Sequence, residues 1–304
     1  DITNNGTISI AGDNAIGIFA YNNDNAAQSD VVINSNSALS LGTNGVGIAV
    51  KGANGGVINL GGTGNITAGT GGIGIYAENS RINLNADVQI ETKENGVGIY
   101  TAGTSQTFGA GKTLTYKYSG TATGTGIASI YSGASSSNNM NIVLDNSVNT
   151  TGGMVGILAK GGGTFTNTGS ISGTSSGREL AVISENTAVA NSGNITLGNA
   201  TSLNDANVGI YAKTDNAVTN TGNITAGSNS IGIYGYAVSS TGNITAGSNG
   251  MGIYSQGGDL SLGGEITVGG NEAVAVFTQG TGQNISSTAK LNIGDGSYGF
   301  VVRG

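Results

Sequence analysis

The 304-residue sequence contains no proline, no cysteine, no histidine and no tryptophan. An average chain of this length carries about 5% proline. Proline lacks a backbone N–H and is confined to sheet edges and bulges, so its absence suits a chain in which most residues sit between two hydrogen-bonded neighbours. Without cysteine there are no disulfide staples, thiolate zinc sites or cysteine nucleophiles. Without histidine the commonest general base and metal ligand is missing. Charge is scarce too: 10 Lys and Arg against 17 Asp and Glu give a formal net charge of −7, with no basic patch. That excludes a nucleic-acid footprint, and an anionic membrane would repel the chain. No apolar run reaches the 18 residues of a spanning helix, and Asp1 opens directly in patterned sequence. Neither a membrane-inserted segment nor a signal peptide is therefore expected.

What the chain does have is 57 glycines, abundant Asn, Ser and Thr, and Ile, Val, Leu and Ala at short intervals. That patterning argues against disorder. Internal repetition dominates. Gly222 to Gly227 (GNITAG) precedes Ile231 to Tyr234 (IGIY), and Gly242 to Gly247 (GNITAG) precedes Met251 to Tyr254 (MGIY). The pair also occurs as Gly64 to Gly69 with Ile73 to Tyr76, and as Gly193 to Gly198 (GNITLG) with Val208 to Tyr211. The middle small residue of the IGIY element serves as a ruler. It falls at Gly17, Gly47, Gly74, Gly98, Ser129, Gly156, Ala181, Gly209, Gly232, Gly252, Ala275 and Gly299, 12 positions separated by 20 to 31 residues.

Each period holds three short alternating pieces punctuated by Gly, Asn, Ser or Thr, as in Ala217 to Asn220, Asn223 to Ala226 and Ile231 to Gly235. Alternation of period two specifies strands, and the punctuation specifies turns. Three strands per period suit the three faces of a coil, with each strand stacked in parallel on its equivalent one period on. The expected fold is all-β: a right-handed parallel β-helix of about 12 coils, forming one solenoid over residues 1–304 and about 60 Å long at 4.8 Å per stacked strand. Strict alternation would turn Ile231 and Ile233 inward, with Ile73, Ile75, Val97, Ile99, Val208 and Ile210, and would turn Gly232 and Tyr234 outward. Because solenoids need polar caps, and neither end reads as one, the natural protein is expected to continue in both directions.

Motifs that elsewhere carry chemistry are weak here. Gly69 to Gly74 (GTGGIG) matches the dinucleotide fingerprint, but it joins two strands rather than opening a helix. Gly111, Lys112 and Thr113 resemble the end of a phosphate loop, yet the earlier glycine is replaced by Gln106. Asp13, Asp205 and Asp295 read as turn residues that tolerate unusual backbone angles. Carboxylate catalysis would need clusters, and the neighbouring pairs Glu91 with Glu94, Arg178 with Glu179, and Lys213 with Asp215 read as solvated turns. Asn65, Asn194, Asn223 and Asn243 formally match glycosylation acceptors, but recurrence at one position fits a coil-to-coil ladder, with Asn167, Asn191 and Asn220 as a second one. No catalytic, cofactor-binding or metal residue is assigned, and no cofactor is expected.

Binding is a different matter. Phe19, Ala49, Tyr76, Tyr100, Tyr131, Leu158, Ile183, Tyr211, Tyr234, Tyr254, Phe277 and Val301 form an outward stripe. Two readings stand: rings that cover the adjacent glycines and stack on one another, or a contact face for a partner or for sugar rings. The wide ruler gaps mark two candidate loop insertions, residues 20–32 and 102–125, which on solenoids often bind. Thr113 to Tyr118 (TLTYKY) also alternates as a strand would. The candidate partner-binding residues are Tyr21, Asp24, Phe108, Tyr116, Lys117, Tyr118, Tyr211, Tyr234 and Tyr254.

The lines GNITAGSNSIGIYGYA (Gly222 to Ala237) and GNITAGSNGMGIYSQG (Gly242 to Gly257) resemble passenger regions of large Gram-negative autotransporter adhesins. The likeness is strongest to the Asn- and Gly-rich, fusobacterial RadD-like kind, and it covers the whole chain as a repeat style. It implies a β-helical stalk on the bacterial surface, exported through a C-terminal β-barrel encoded elsewhere in the full chain. Its partner would be a protein or glycan receptor on host cells or other bacteria. The alternatives are a polysaccharide-degrading enzyme on the same scaffold, and an ice-binding solenoid. The latter would need two outward Thr columns where Thr67, Thr196, Thr225 and Thr245 supply one.

Overall fold

The computed structural model describes residues 1–23, 31–121, 126–146, 153–213 and 215–304. These residues form 36 strands and a single 3-10 turn, Leu203–Asp205. The chain divides into two compact units, residues 1–149 and 150–304. Each unit is a parallel β-solenoid with three strands per coil, and all strand pairs are parallel. In the first unit the first coil comprises Ile2–Asn4, Ile8–Ile10 and Ile16–Tyr21. In the second unit a representative coil comprises Ala217–Asn220, Ile224–Ala226 and Ile231–Gly235, within a residue of the pieces expected from alternation. The three strands of a coil are called its first, second and third faces below.

Every ruler position lies in a third-face strand, five in the first unit and seven in the second. Register keeps like on like. Ile224 pairs with Ile244 and Thr225 with Thr245, Ile233 with Ile253 and Tyr234 with Tyr254. The core is the sum of such columns. In the second unit Ile171, Ile195, Ile224, Ile244 and Ile266 line the second face, and Ile157, Val182, Ile210, Ile233, Ile253 and Val276 line the third, all buried. Each buried aliphatic side chain contributes about 1.5–3 kcal/mol of hydrophobic free energy. Repetition at nearest-neighbour distance makes the stack cooperative.

The third face departs from strict alternation. Along Ile231–Gly235 the first residue is half-buried, Gly232 and Ile233 are both buried, Tyr234 is half-exposed and Gly235 is buried. The ladder skips the glycine, pairing Ile231 with Met251 and Ile233 with Ile253. A methyl group on Gly232 would lie 2.5 Å from Gly252 O and 2.7 Å from Ile244 Cγ2. Gly232 therefore points inward, where a hydrogen fits without displacement between the Ile244 side chain and the carbonyl of the next coil. The expected outward Gly232 is thus corrected, and Ile231, expected inside, sits half-exposed at the edge of the core.

Polar side chains lock the stack as well. Asn167 Nδ2 donates to Asn191 Oδ1, and Asn191 Nδ2 to Asn220 Oδ1, both at 2.8 Å, and Asn220 Nδ2 donates to Ser240 Oγ at 3.1 Å. Each asparagine also donates to a carbonyl two residues on, Gly169, Gly193 and Gly222 respectively. This ladder is fully buried, so its amides are satisfied by one another rather than by water. The outer ladder works differently: Asn194 Oδ1 accepts from the backbone of Asn223, and Asn223 Oδ1 from that of Asn243, each at 3.2 Å. Turn residues with left-handed backbone are Asn14, Asn44, Asn95, Asn229 and Asn249 among others. Asp13, Asp205 and Asp295 do not adopt it.

Candidate functional site

The expected partner-binding residues scatter. Asp24 lies outside the described residues, as does most of the 20–32 insertion. Tyr21 ends the first third-face strand and is 60% exposed. Of 102–125, residues 122–125 lie outside the described residues, and Ser105–Phe108 and Thr113–Tyr118 are first- and second-face strands of an ordinary coil rather than an insertion. Within them Phe108 points partly outward, stacked after Asn83. Lys117 is half-exposed and ion-paired with Glu91 at 3.5 Å, one coil back.

Tyr116 and Tyr118 are corrected outright, because each is 1% exposed and belongs to the core. Tyrosine fits there because its hydroxyl finds partners. The Tyr116 hydroxyl donates to Gly96 O at 3.1 Å and lies 2.9 Å from the Thr92 hydroxyl. Burial pushes its pKa well above the usual phenol range. The Tyr118 hydroxyl lies 3.1 Å from Glu94 Oε1 and 3.0 Å from Thr121 O. Glu94 also accepts the Thr121 backbone N–H, and this bond, the largest influence, lowers its pKa to about 2.

Tyr211, Tyr234 and Tyr254 are brought together. Their rings stack nearly parallel at 4.8 and 4.7 Å between centroids, and Phe277 follows at 5.0 Å. In the first unit Tyr76, Tyr100 and Tyr131 stack at 5.4 and 4.8 Å, and Lys51 Nζ lies 5.2 Å from the Tyr76 centroid. These distances match the strand spacing, so register alone produces the stacks. The rings stack on one another as one reading expected, but they do not cover the glycines, which face the interior. What they present is a half-exposed row of ring edges and hydroxyls, with Gln256 Nε2 donating to the Tyr234 hydroxyl at 2.5 Å. Burial raises the Tyr234 pKa, and Tyr211 and Tyr254 add to the effect.

Beside this row runs a charged column on the turn that ends the third face. Lys160 and Lys213 clasp Glu185 at 2.7 and 2.9 Å, and the Lys160 hydrogen bond is the main reason that its pKa is lowered. The second face of the same unit carries an uncharged array. Thr196, Thr225 and Thr245 form an exposed column in register, flanked by Asn194, Asn223 and Asn243, whose Oδ1 atoms are fixed by the ladder above.

The sequence reading missed one feature. Residues Thr201–Ala206, with the 3-10 turn, rise as a ridge between the second and third faces. The Arg178 side chain meets Asp205 Oδ1 through Nε and a terminal nitrogen, both at 2.7 Å. A cleft of about 250 Å³ lined by Ser176, Gly177, Arg178, Thr201 and Asp205 lies on one side of the ridge. Another of about 340 Å³ lies on the other, with Leu203, Asn229, Asn249, Met251 and Glu272 among its walls. The only sequence signal was a 28-residue ruler gap, which is near the average. Arg178 thus pairs with Asp205 rather than with Glu179, and Lys213 with Glu185. Among the described residues no group of three or more acidic side chains is placed to hold a metal ion, and no helix is long and apolar enough to cross a membrane.

The architecture defines the chain's class as a parallel β-solenoid. No protein-family model matches it, and no curated protein or solved structure does so either.

Proposed function

We propose that the chain is a surface-exposed adhesin segment, whose stiff solenoid units carry binding surfaces away from the cell envelope for attachment to host cells or other bacteria. The observation that carries this reading is the division of labour between inside and outside. Inward columns are devoted to stacking, while the outward second face of the second unit presents short uncharged hydroxyls and amides pre-ordered by the ladder, and the third face presents the tyrosine row with its charged column. Such a surface suits repeated weak contacts with a protein or glycan receptor, in which ordering costs have already been met by folding. The repeat lines that resemble autotransporter passengers support the same assignment and the outer surface of a bacterium as its place. A C-terminal β-barrel elsewhere in the full protein would anchor it.

The test is binding of the purified chain to arrayed glycans, to epithelial cells and to bacterial surfaces. The triple variant Tyr211→Phe, Tyr234→Phe, Tyr254→Phe keeps the stack and deletes the hydroxyl row, so it should bind more weakly without loss of thermal stability. Failure of the wild-type chain to bind any of these surfaces would replace adhesion with a purely spacing role.

A further inference from the structure

Among the described residues one carboxyl side chain is fully buried inside the coil, with no charge to offset it. Glu179 in the second unit is fully buried, two residues before the ruler position Ala181. Its neighbours in that corner column are Met154 one coil back and Asn207 one coil on, linked to its strand by backbone bonds from Leu180 N to Met154 O and from Val208 N to Glu179 O. Room for the carboxyl comes from Gly173. Its register partner is Leu197, and a methyl group on Gly173 would lie 2.5–2.6 Å from the carboxyl atoms.

The carboxyl closes a loop. Glu179 Oε1 accepts the Ser175 backbone N–H at 3.0 Å, and Asn207 Nδ2 holds Ser175 O at 3.2 Å and Gly198 O at 3.0 Å. The Glu179 N–H donates to Asn207 Oδ1 at 2.9 Å. Glu179 Oε2, by contrast, has no hydrogen-bond partner among the described residues. The charged groups on the flanking segments are Arg178 and Asp205, which pair with each other on the outside. Met154, Asn207 and Gly173 carry no charge. Arg178 itself is held at a φ of +60°, a conformation that costs an arginine energy and persists only while the loop is clasped.

We propose that the 174–179 bulge is a pH-operated latch, closed while the Glu179 carboxyl is neutral and released when it ionises. Burial of an ionised carboxyl is costly in the interior, and the Ser175 N–H, the Ser175 hydroxyl and the Thr174 N–H offset that cost only in part while Oε2 stays without a hydrogen-bond partner; swinging the carboxyl into water breaks the bond to Ser175. The ridge moves with it, because Thr201 N bonds to Ser176 O and Arg178 N to Asp205 O, both at 2.8 Å. The 250 Å³ cleft between them therefore exists in the closed form. Burial raises the Glu179 pKa above the ordinary glutamate value. Closure is complete below that ordinary value, near 4.5, and weakens as pH rises toward the raised one.

Hydrogen exchange of the whole chain tests this, read between pH 4 and 8 after division by intrinsic exchange rates. Amides in 174–179 and 198–206 should lose up to tenfold protection per pH unit within the titration window, while those in 231–255 stay flat. Glu179→Gln should abolish the slope. Glu179→Met, which places in this corner the side chain that Met154 supplies one coil back, should do the same if the glutamine variant fails to fold. A flat wild-type profile, or an unchanged slope in the folded variant, would overturn the latch.

Discussion

Substituting Gly232 by alanine distinguishes an inward ruler residue from an outward one by the sign of the effect. If the position faced solvent, the added methyl would restrict the unfolded chain and stabilise the protein by about 0.4–1 kcal/mol. The structure demands the opposite. The new carbon would lie 2.5 Å from Gly252 O and 2.7 Å from Ile244 Cγ2, where ordinary contact begins at 3.4 Å. Neighbouring coils must part by several tenths of an ångström, and overpacking of this kind costs about 1–3 kcal/mol. Ala181 and Ala275 occupy the same column and are fully buried, so the stack can yield to one methyl, which places the expected cost near the middle, about 2 kcal/mol. Urea titration followed by far-UV circular dichroism reads it as a lower midpoint at unchanged slope. A midpoint that rose, or one unchanged within error, would show that the glycine column does not sit between coils.

Asn191→Ala should cost about 2–5 kcal/mol, because it strands the Asn167 donor and the Gly193 carbonyl inside the coil; chemical denaturation beside the exposed control Thr225→Ala measures it. Tyr234→Ala removes two stacked pairs and should lower stability by about 1–3 kcal/mol, with loss of near-ultraviolet circular dichroism, whereas Tyr234→Phe should leave stability almost unchanged. Glu94 is held ionised by the Thr121 N–H, so its contribution is complete above the ordinary glutamate range and fades as pH falls toward about 2. Glu94→Gln should therefore reduce amide protection at Thr121 at pH 7 but hardly at all at pH 2, by hydrogen exchange.

Period and face count could be read from the sequence because both follow from like stacking on like. A column that repeats Ile224, Ile244 and Ile266 leaves its spacing in the sequence. The parity of the third face was hidden. Alternation assumes a flat pleat, and Gly232 and Ile233 break it by turning inward in succession, a local bend without a sequence marker other than glycine itself. Tyr116 and Tyr118 misled for another reason. Their alternation was that of a strand, but the 31-residue ruler gap around them suggested a loop insertion. Burial was decided by whether Thr92, Gly96 and Glu94 could receive their hydroxyls, and those residues lie 20 to 24 positions away. The same distance concealed the pairing of Arg178 with Asp205 and left Glu179 looking like half of an exposed pair.

The columns also bear on how such a chain can change in length. In the coil from Ala217 to Tyr236, Val218 meets Val238, Ile224 meets Ile244, Ala226 meets Ala246, Ile233 meets Ile253 and Tyr234 meets Tyr254. A tandem copy of those twenty codons, inserted after the original, would set each side chain against one of its own kind, and Asn220 would meet a second Asn220. Such a duplication lengthens the molecule chiefly by repeating kinds of contact that it already holds. The corner holding Glu179 admits no such copying: a repeated glutamate would face its twin in the interior, and drift in length at that coil would be selected against.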